Sequence, residues 1–183
     1  MKVAAAILAS LVAVIVISAL PSAPAQMPSG RDVVAPSAFA SVEPVGRGSS
    51  FQLAVVLKIR DGFHINARQP SADYLIPTDL RAEVPAGFKV GDTTYPKGEL
   101  RKFSFSKTPL NVYEDKVVIR MALTALADAP LGAQHIPLRL RFQACSTEAC
   151  LPPVTLPVDA TINLAANSEA SRPSHPELFP PQH

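Results

Sequence analysis

The sequence predicts an all-β domain, an antiparallel β-sandwich, from three observations. Apolar and polar residues alternate with a period of two in short runs between residues 51 and 164. Turn signals containing Gly, Pro or Asp separate these runs, and 19 of the 183 residues are prolines. Almost no stretch has helical periodicity. Seven or eight short antiparallel strands therefore account for the pattern.

The N-terminal segment predicts export. A short positive start precedes an apolar run over residues 3–20, and small residues then lead to Ala25. This order is typical of a secretory signal peptide over residues 1–25, followed by a flexible leader over 26–32. An uncleaved membrane anchor is the alternative, because the run approaches 18 residues. Export to the periplasm would allow a disulfide to form and persist.

The central part of the chain contains the predicted strands. Phe51 to Ile59 has one clearly apolar face. Gln134 to Ala144 repeats that alternation before the cysteines, so Gln143 is predicted to face outward. Pro77 interrupts or borders a third run, because proline cannot donate a ladder hydrogen bond. The domain is predicted over 33–164, with a disordered, Pro-rich tail over 165–183. The predicted strands cover residues 51–60, 63–67, 72–84, 88–95, 112–126, 134–144 and 154–164.

Charge excludes some partner classes. The formal net charge is only +2, and the Lys, Arg, Asp and Glu residues are dispersed along the chain. A nucleic-acid or anionic-membrane partner is therefore not expected. We expect a monomer.

The two cysteines, Cys145 and Cys150, are the strongest chemical signal. Their spacing differs from that of a thioredoxin-type motif, and no second cysteine pair completes a zinc site. A disulfide here closes a ring of six residues, for which chain entropy contributes only about 2 kcal/mol, against nearly 5 kcal/mol for a hundred-residue loop. This small stabilisation favours a pair that opens and closes, in a loop that joins two strands as a hairpin.

Several polar residues near the cysteines in the predicted fold allow more than one interpretation. His64 is either a metal ligand or proton carrier, or a strand-end histidine with one hydrogen bond. Asn66 is either an auxiliary site residue or a turn former. Glu148 lies between the cysteines, where it would raise a thiol pKa, relay a proton or simply contact solvent. Arg139 and Arg141 are candidates for stabilising a thiolate.

Four segments of the sequence resemble, in the same order, the N-terminal periplasmic domain of the thiol:disulfide interchange protein DsbD. The resemblance implies an immunoglobulin-like β-sandwich in which Cys145 and Cys150 form a redox-active disulfide, with no other cofactor. It also implies that electrons come from a membrane-embedded donor by way of a thioredoxin-like domain. They pass on to periplasmic thioredoxin-fold proteins, such as disulfide isomerases and the cytochrome c maturation reductase. The matching segments are Asp61–Ala67, Tyr74–Thr78, Val112–Lys116 and Phe142–Pro153.

The resemblance also implies a flexible cap loop whose phenylalanine covers the disulfide. Here the matching loop contains Phe103 and Phe105, which lie on the same side of an extended segment and are otherwise ordinary core aromatics. Where the family has acidic residues before the cap, this chain has Arg101, Lys102 and Ser104.

A second departure concerns the neighbours of the cysteines, where the family's tyrosines correspond to His64 and Asn66. The family resemblance favours Cys150 as the attacking sulfur. Because the sequence continues into a polar tail, the expected membrane-embedded donor is a separate polypeptide.

Two other functions remain open from the residues. An immunoglobulin-like binding or scaffold module would use the disulfide as a permanent clip. A periplasmic metal chaperone would bind Cu(I) through Cys145, Cys150 and either His64 or His135, although no methionine cluster supports it.

Overall fold

The computed structural model describes residues 28–180, so the predicted signal peptide lies outside the described residues. Strands dominate this part of the chain, and the only helical segments there are two 3-10 turns, Gly30–Asp32 and Pro176–Leu178. The strands are β1 (Val34–Ala40), β2 (Val42–Glu43), β3 (Val45–Gly46), β4 (Ser50–Ile59), β5 (His64–Asn66), β6 (Asp79–Ala82), β7 (Phe88–Thr94), β8 (Glu99–Arg101), β9 (Leu110–Tyr113), β10 (Lys116–Ala125), β11 (Gly132–Phe142), β12 (Ala144–Cys145), β13 (Val154–Ala165) and β14 (Arg172–Pro173).

Two four-stranded sheets form the body of the molecule. The first has the order β1-β4-β10-β7, and the second has the order β3-β13-β11-β6. All of these pairs are antiparallel except β13 with β3. Strands β11 and β13 pair from Gly132 opposite Leu164 to Phe142 opposite Val154, so the cysteine loop does join two hairpin strands. The predicted antiparallel β-sandwich is confirmed.

The period-two pattern places the hydrophobic core as the sequence predicts. Alternate residues of β4 and β11 are buried in one cluster that both sheets share. Burying each of these aliphatic or aromatic side chains stabilises the fold by about 1.5–3 kcal/mol. The inward residues are Phe51, Leu53, Val55, Leu57 and Ile59 of β4, with Ile136, Leu138, Leu140 and Phe142 of β11.

A third, smaller sheet continues from the Phe142 end of β11. It has the order β12-β5-β9-β8, and its strands are two to four residues long. The predicted strand over 112–126 is divided here, because Asp115 adopts a positive φ of 55° between β9 and β10. Aspartate is one of the residues that tolerate this left-handed conformation. The predicted strand over 72–84 is likewise reduced to β6.

The structure contradicts the prediction of a disordered tail for residues 165–180. Strand β14 pairs with β2, and Leu178 is buried against Ala54 and Val56. These two residues lie on the face of β4 opposite the main core, so their apolar surface is covered by the tail. Composition predicted disorder because the tail is polar, but a single buried leucine and strand pairing hold it in place.

The predicted flexible leader is also ordered where the structure describes it. Ser29 accepts a hydrogen bond from the Arg31 amide, the Asp32 side chain binds the Ser29 amide, and Gly30 is buried. Between residues 28 and 180, no helix is long and apolar enough to cross a membrane.

Candidate functional site

The two cysteines form a disulfide between directly opposed backbone positions. Cys145 and Cys150 make an isolated antiparallel bridge, with a Cα–Cα distance of 3.9 Å and an S–S distance of 2.06 Å. Cys145 is completely buried, whereas Cys150 is exposed. The Cys150 end of the disulfide therefore lies at the surface, and the Cys145 end lies in the interior.

A tight turn over residues 146–149 presents Cys150 at the surface. The Ser146 amide donates to the Ala149 carbonyl at 2.9 Å, and the Ser146 hydroxyl accepts from the amides of Glu148 and Ala149 at 3.2 Å. Glu148 is exposed on this turn. Because the turn satisfies its own backbone groups, the loop does not depend on the disulfide alone for its shape.

Gln143 anchors the base of the cysteine loop. Its Nε2 donates to the Leu151 carbonyl at 3.3 Å, and its Oε1 accepts from Asn66 Nδ2 at 3.3 Å and from the Ile76 amide at 3.4 Å. Simple alternation predicted an outward Gln143 and missed this role. At Gln143 the chain passes from β11 of the second sheet into β12 of the small sheet, and this change of sheet places the residue beside β5.

Asn66 is a buried strand residue, so its interpretation as a turn former is wrong. It lies in β5, where its Nδ2 also donates to the Ile76 carbonyl at 3.1 Å. The Thr78 hydroxyl donates to the Asn66 carbonyl at 2.6 Å. These bonds join β5 to the segment that leads into β6.

His64 is the direct neighbour of Cys145 across the strands. The two residues are paired in the antiparallel register of β5 and β12, which places their side chains on the same face. The imidazole is buried, and this burial lowers its pKa from 6.5 to about 4, so the ring is neutral near pH 7. Within the described residues, His64 Nε2 and Asn66 Oδ1 are the buried side-chain atoms that lack a hydrogen-bond partner.

The loop between β8 and β9 carries both predicted cap phenylalanines. The Phe103 ring stacks on His64 at 4.0 Å with an angle of 18°, whereas Phe105 stacks on Phe103 at 5.4 Å and lies 6.4 Å from His64. Phe103 also packs on a small buried cluster, but Phe105 is 40% exposed. Neither belongs to the main core.

A hydrogen bond connects this loop to the cysteine loop. Ser104, between the two phenylalanines, donates from its hydroxyl to the Thr147 carbonyl at 3.1 Å. The sequence departure from an acidic residue to Ser104 therefore provides a direct contact between the two loops.

A pocket beside His64 is lined by three carboxylates. The pocket has a volume of about 250 Å³, and Asp61, Glu114, Asp115, Phe103 and Thr147 are among its lining residues. Arg101 of β8 and Arg139, which the sequence suggested as a group that could stabilise a thiolate, are paired with carboxylates instead. These pairs are Arg101 with Glu99 and Glu114, at 2.6 and 2.8 Å, and Arg139 with Glu83 at 3.2 Å.

The other histidine considered as a metal ligand lies apart from the cysteines. His135 is near the start of β11, where its Nδ1 is 2.7 Å from Asp159 Oδ2. Phe142 follows His135 by seven positions along an extended strand, a distance of about 23 Å. Across residues 28–180, no three His, Cys, Asp or Glu residues form a group that could hold a metal ion.

Comparison with protein families identifies this arrangement. Residues 31–161 match the family described as thiol:disulfide interchange protein DsbD, N-terminal. The chain belongs to the DsbD N-terminal domain family. Its fold is the all-β, immunoglobulin-like sandwich of that family, and the implied thiol–disulfide interchange class agrees with the Cys145–Cys150 bridge.

Solved structures resemble this DsbD-type domain at low sequence identity. The Neisseria meningitidis DsbD N-terminal domain in its reduced form is 19% identical, with a TM-score of 0.45, over 81% of this chain and 95% of that one. The N-terminal periplasmic domain of ScsB from Proteus mirabilis is 14% identical, also with a TM-score of 0.45, over 80% of this chain and 49% of that one. No individual curated protein matches significantly.

Proposed function

We propose that this DsbD-type domain relays reducing equivalents through Cys145 and Cys150 to thioredoxin-fold proteins of the periplasm. The observation that carries the proposal is the asymmetric disulfide, with an exposed Cys150 joined to a buried Cys145. An exposed cysteine residue, next to one that solvent cannot reach, suits an exchange centre whose resolving thiol is protected.

The exchange has two steps. In the reduced domain, the Cys150 thiolate attacks one sulfur of the partner disulfide, forms a mixed disulfide and releases the partner's other sulfur as a thiolate. The Cys145 sulfur then attacks the Cys150 sulfur and releases the partner's first sulfur. The domain loses two electrons and two protons and regains its disulfide, while the partner becomes a dithiol.

Reloading reverses these steps. One thiolate of a dithiol, supplied by the membrane-embedded electron donor, attacks the sulfur of the exposed Cys150, and Cys145 leaves as a thiolate that takes up a proton. The second thiol of that dithiol then resolves the mixed disulfide, so that Cys150 leaves as a thiolate and the donor keeps the new disulfide. We propose that Phe103 and Phe105 cap the pair between exchanges, with Phe103 as the inner residue. Glu148, at the exposed turn, is proposed to contact the partner or relay a proton.

An immunoglobulin-like binding module with a structural disulfide is the alternative. The hydrogen bonds of Ser146 and Gln143 favour it, because they hold the loop in one conformation. This module would keep the disulfide closed under all physiological conditions. Cu(I) delivery has less support, because the oxidised pair offers no thiolate ligand.

A redox titration of the full chain separates these functions. The protein, expressed with its own N-terminus, is equilibrated in defined thiol buffers and alkylated, and the reduced fraction is read by mass. A midpoint between about −180 and −270 mV, in the range of exchangeable carriers, supports the relay. A midpoint below about −300 mV marks a structural bond and contradicts it.

A second measurement tests the acceptor class. The reduced chain is mixed with an oxidised thioredoxin-fold protein, and transfer of electrons is followed by alkylation of both proteins. Transfer within minutes supports the proposed partner class, whereas no transfer, despite a carrier-like midpoint, excludes it.

A further inference from the structure

The buried His64 has an unused nitrogen beside the buried cysteine. Its Nε2 has no hydrogen-bond partner in the disulfide form, although the atom is inaccessible to water. Leaving such a buried nitrogen unpaired destabilises the fold. An unpaired nitrogen at this position indicates a partner that is present only in another state of the protein.

The register identifies that partner. His64 and Cys145 are directly opposed across β5 and β12, and the Cβ atoms of opposed residues lie about 4.5–5.5 Å apart on one face. In the disulfide, the Cys145 sulfur carries no hydrogen. After reduction it carries an S–H donor at the position that faces the imidazole.

We propose that His64 is the proton acceptor of Cys145: its Nε2 accepts the S–H hydrogen bond of the reduced pair and takes the proton when Cys145 resolves a mixed disulfide. This proposal rests on the relay function and assigns a residue to its second step. The Cys145 S–H bond breaks, Nε2 gains the proton, and the sulfur attacks Cys150. The partner's sulfur leaves as a thiolate and is protonated by the imidazolium or by water.

The second step needs such an acceptor because Cys145 is completely buried. A thiol in apolar surroundings has a raised pKa and cannot release its proton directly to water. Neutral imidazole is available throughout the physiological range, since burial lowers the pKa of His64 to about 4. That value applies to the disulfide form, and a thiolate facing the ring would raise it toward the range that suits proton transfer.

The other titratable groups near the ring are carboxylates at the pocket. Asp61 comes from the turn between β4 and β5, and Glu114 and Asp115 come from the turn between β9 and β10. Phe103, from the cap loop, covers the ring with an apolar face, and Thr147 is the cysteine loop's contribution to the pocket. These carboxylates would stabilise a transient imidazolium and provide a path for its proton to solvent.

Single-turnover oxidation by glutathione disulfide separates the two steps. The reduced full chain is mixed with glutathione disulfide between pH 5.5 and 8.5, quenched in acid and analysed by mass. Loss of the reduced form measures attack by Cys150, and decay of the glutathione adduct measures resolution by Cys145. The variants are His64→Gln, which keeps a polar side chain but cannot take a proton at these pH values, and His64→Phe. His135→Phe is the matched control, because His135 is exposed on β11.

We expect the His64 variants to accumulate the adduct, with resolution at pH 7 slower by at least about tenfold, as for other losses of a general base. Their resolution rate should rise about tenfold per pH unit, whereas the wild-type rate rises less steeply. The first step should change less than about twofold in His64→Phe, which keeps an aromatic ring for Phe103 to stack on, and it should become at most about 12-fold faster in His64→Gln, which does not. His135→Phe should match the wild type in both steps.

Three outcomes would decide against a chemical role for His64. Resolution in His64→Gln with the wild-type rate and pH slope overturns the proposal. A variant that changes only the first step shows that the ring merely supports the cap loop. If the wild-type chain exchanges with neither glutathione disulfide nor an oxidised thioredoxin-fold protein, the relay function fails and this inference fails with it.

Discussion

The sandwich body and the small sheet at its end differ in what holds them together. In the body, alternate aliphatic and aromatic residues of long strands are buried in one cluster. In the small sheet the strands are short, and the buried polar residues of the described chain, His64, Asn66 and Thr78, lie in it or lead away from it. The body is stabilised by burial of apolar surface, and a core of this kind accepts many combinations of hydrophobic side chains. The small sheet also buries apolar residues such as Ile65 and Val112, but it adds specific hydrogen bonds of buried polar groups, as expected where a reactive group must be positioned.

The largest expected effect is loss of exchange when the disulfide beside the small sheet loses one sulfur. Cys150→Ser should abolish electron transfer to an oxidised thioredoxin-fold protein. It should lower the free energy of unfolding by only about 2 kcal/mol, because the disulfide closes a six-residue ring. Cys145→Ser is the companion variant and should trap a mixed disulfide at Cys150, visible by mass. Trapping by Cys150→Ser instead would reverse the roles of the two sulfurs.

The converse change shortens one core side chain of the sandwich body. Leu53 is completely buried in β4, so Leu53→Ala should lower the free energy of unfolding by about 2–5 kcal/mol. The midpoint potential of the cysteine pair should stay at the wild-type value, because the site has its own supporting contacts. Urea denaturation and redox titration of the same variant test both statements. A shifted midpoint would show that the two regions are energetically coupled.

A smaller effect is expected at the cap. Phe103→Ala removes the stacking of Phe103 on His64. This change should favour opening of the cap loop by about 0.5–1.5 kcal/mol, which corresponds to a 2- to 12-fold faster alkylation of the reduced cysteine pair by iodoacetamide. Phe105→Ala is the matched control and should change the rate less, because Phe105 is more exposed and lies farther from His64. Equal rates for both variants and the wild type would contradict the assignment of Phe103 as the cap.

An effect confined to acidic pH is a pH dependence of stability that comes from His64. Its pKa is lowered from 6.5 to about 4 by burial, so between these values the unfolded chain binds a proton that the folded chain does not. The free energy of unfolding should therefore lose nothing to His64 above pH 6.5, and it should decrease as the pH falls from 6.5 toward 4. Urea denaturation of the oxidised His64→Gln variant should show a shallower decrease in this window. Equal slopes would indicate that the buried ring does not titrate as described.

Sequence reasoning succeeded where one periodic signal dominates. The faces of β4 and β11 were predicted from their alternation because burial of one face determines strand register. The segment around Cys145 and Cys150 carried the family resemblance, which the family match confirmed. By contrast, Gln143 and Asn66 were assigned to solvent or a turn, since no local pattern distinguishes a surface amide from one that bonds across the fold.

The sequence by itself determined the sandwich, its core faces and the identity of the paired cysteines, because hydrophobic periodicity and residue chemistry are local properties. The tertiary structure decided which sulfur is exposed, which phenylalanine stacks on His64 and how the C-terminal segment covers β4. Each of these depends on residues far apart in sequence, such as Ser104 and Thr147 or Ala54 and Leu178. Such contacts arise only when the chain closes long loops, and the energy of each is too small to leave a pattern in composition or spacing.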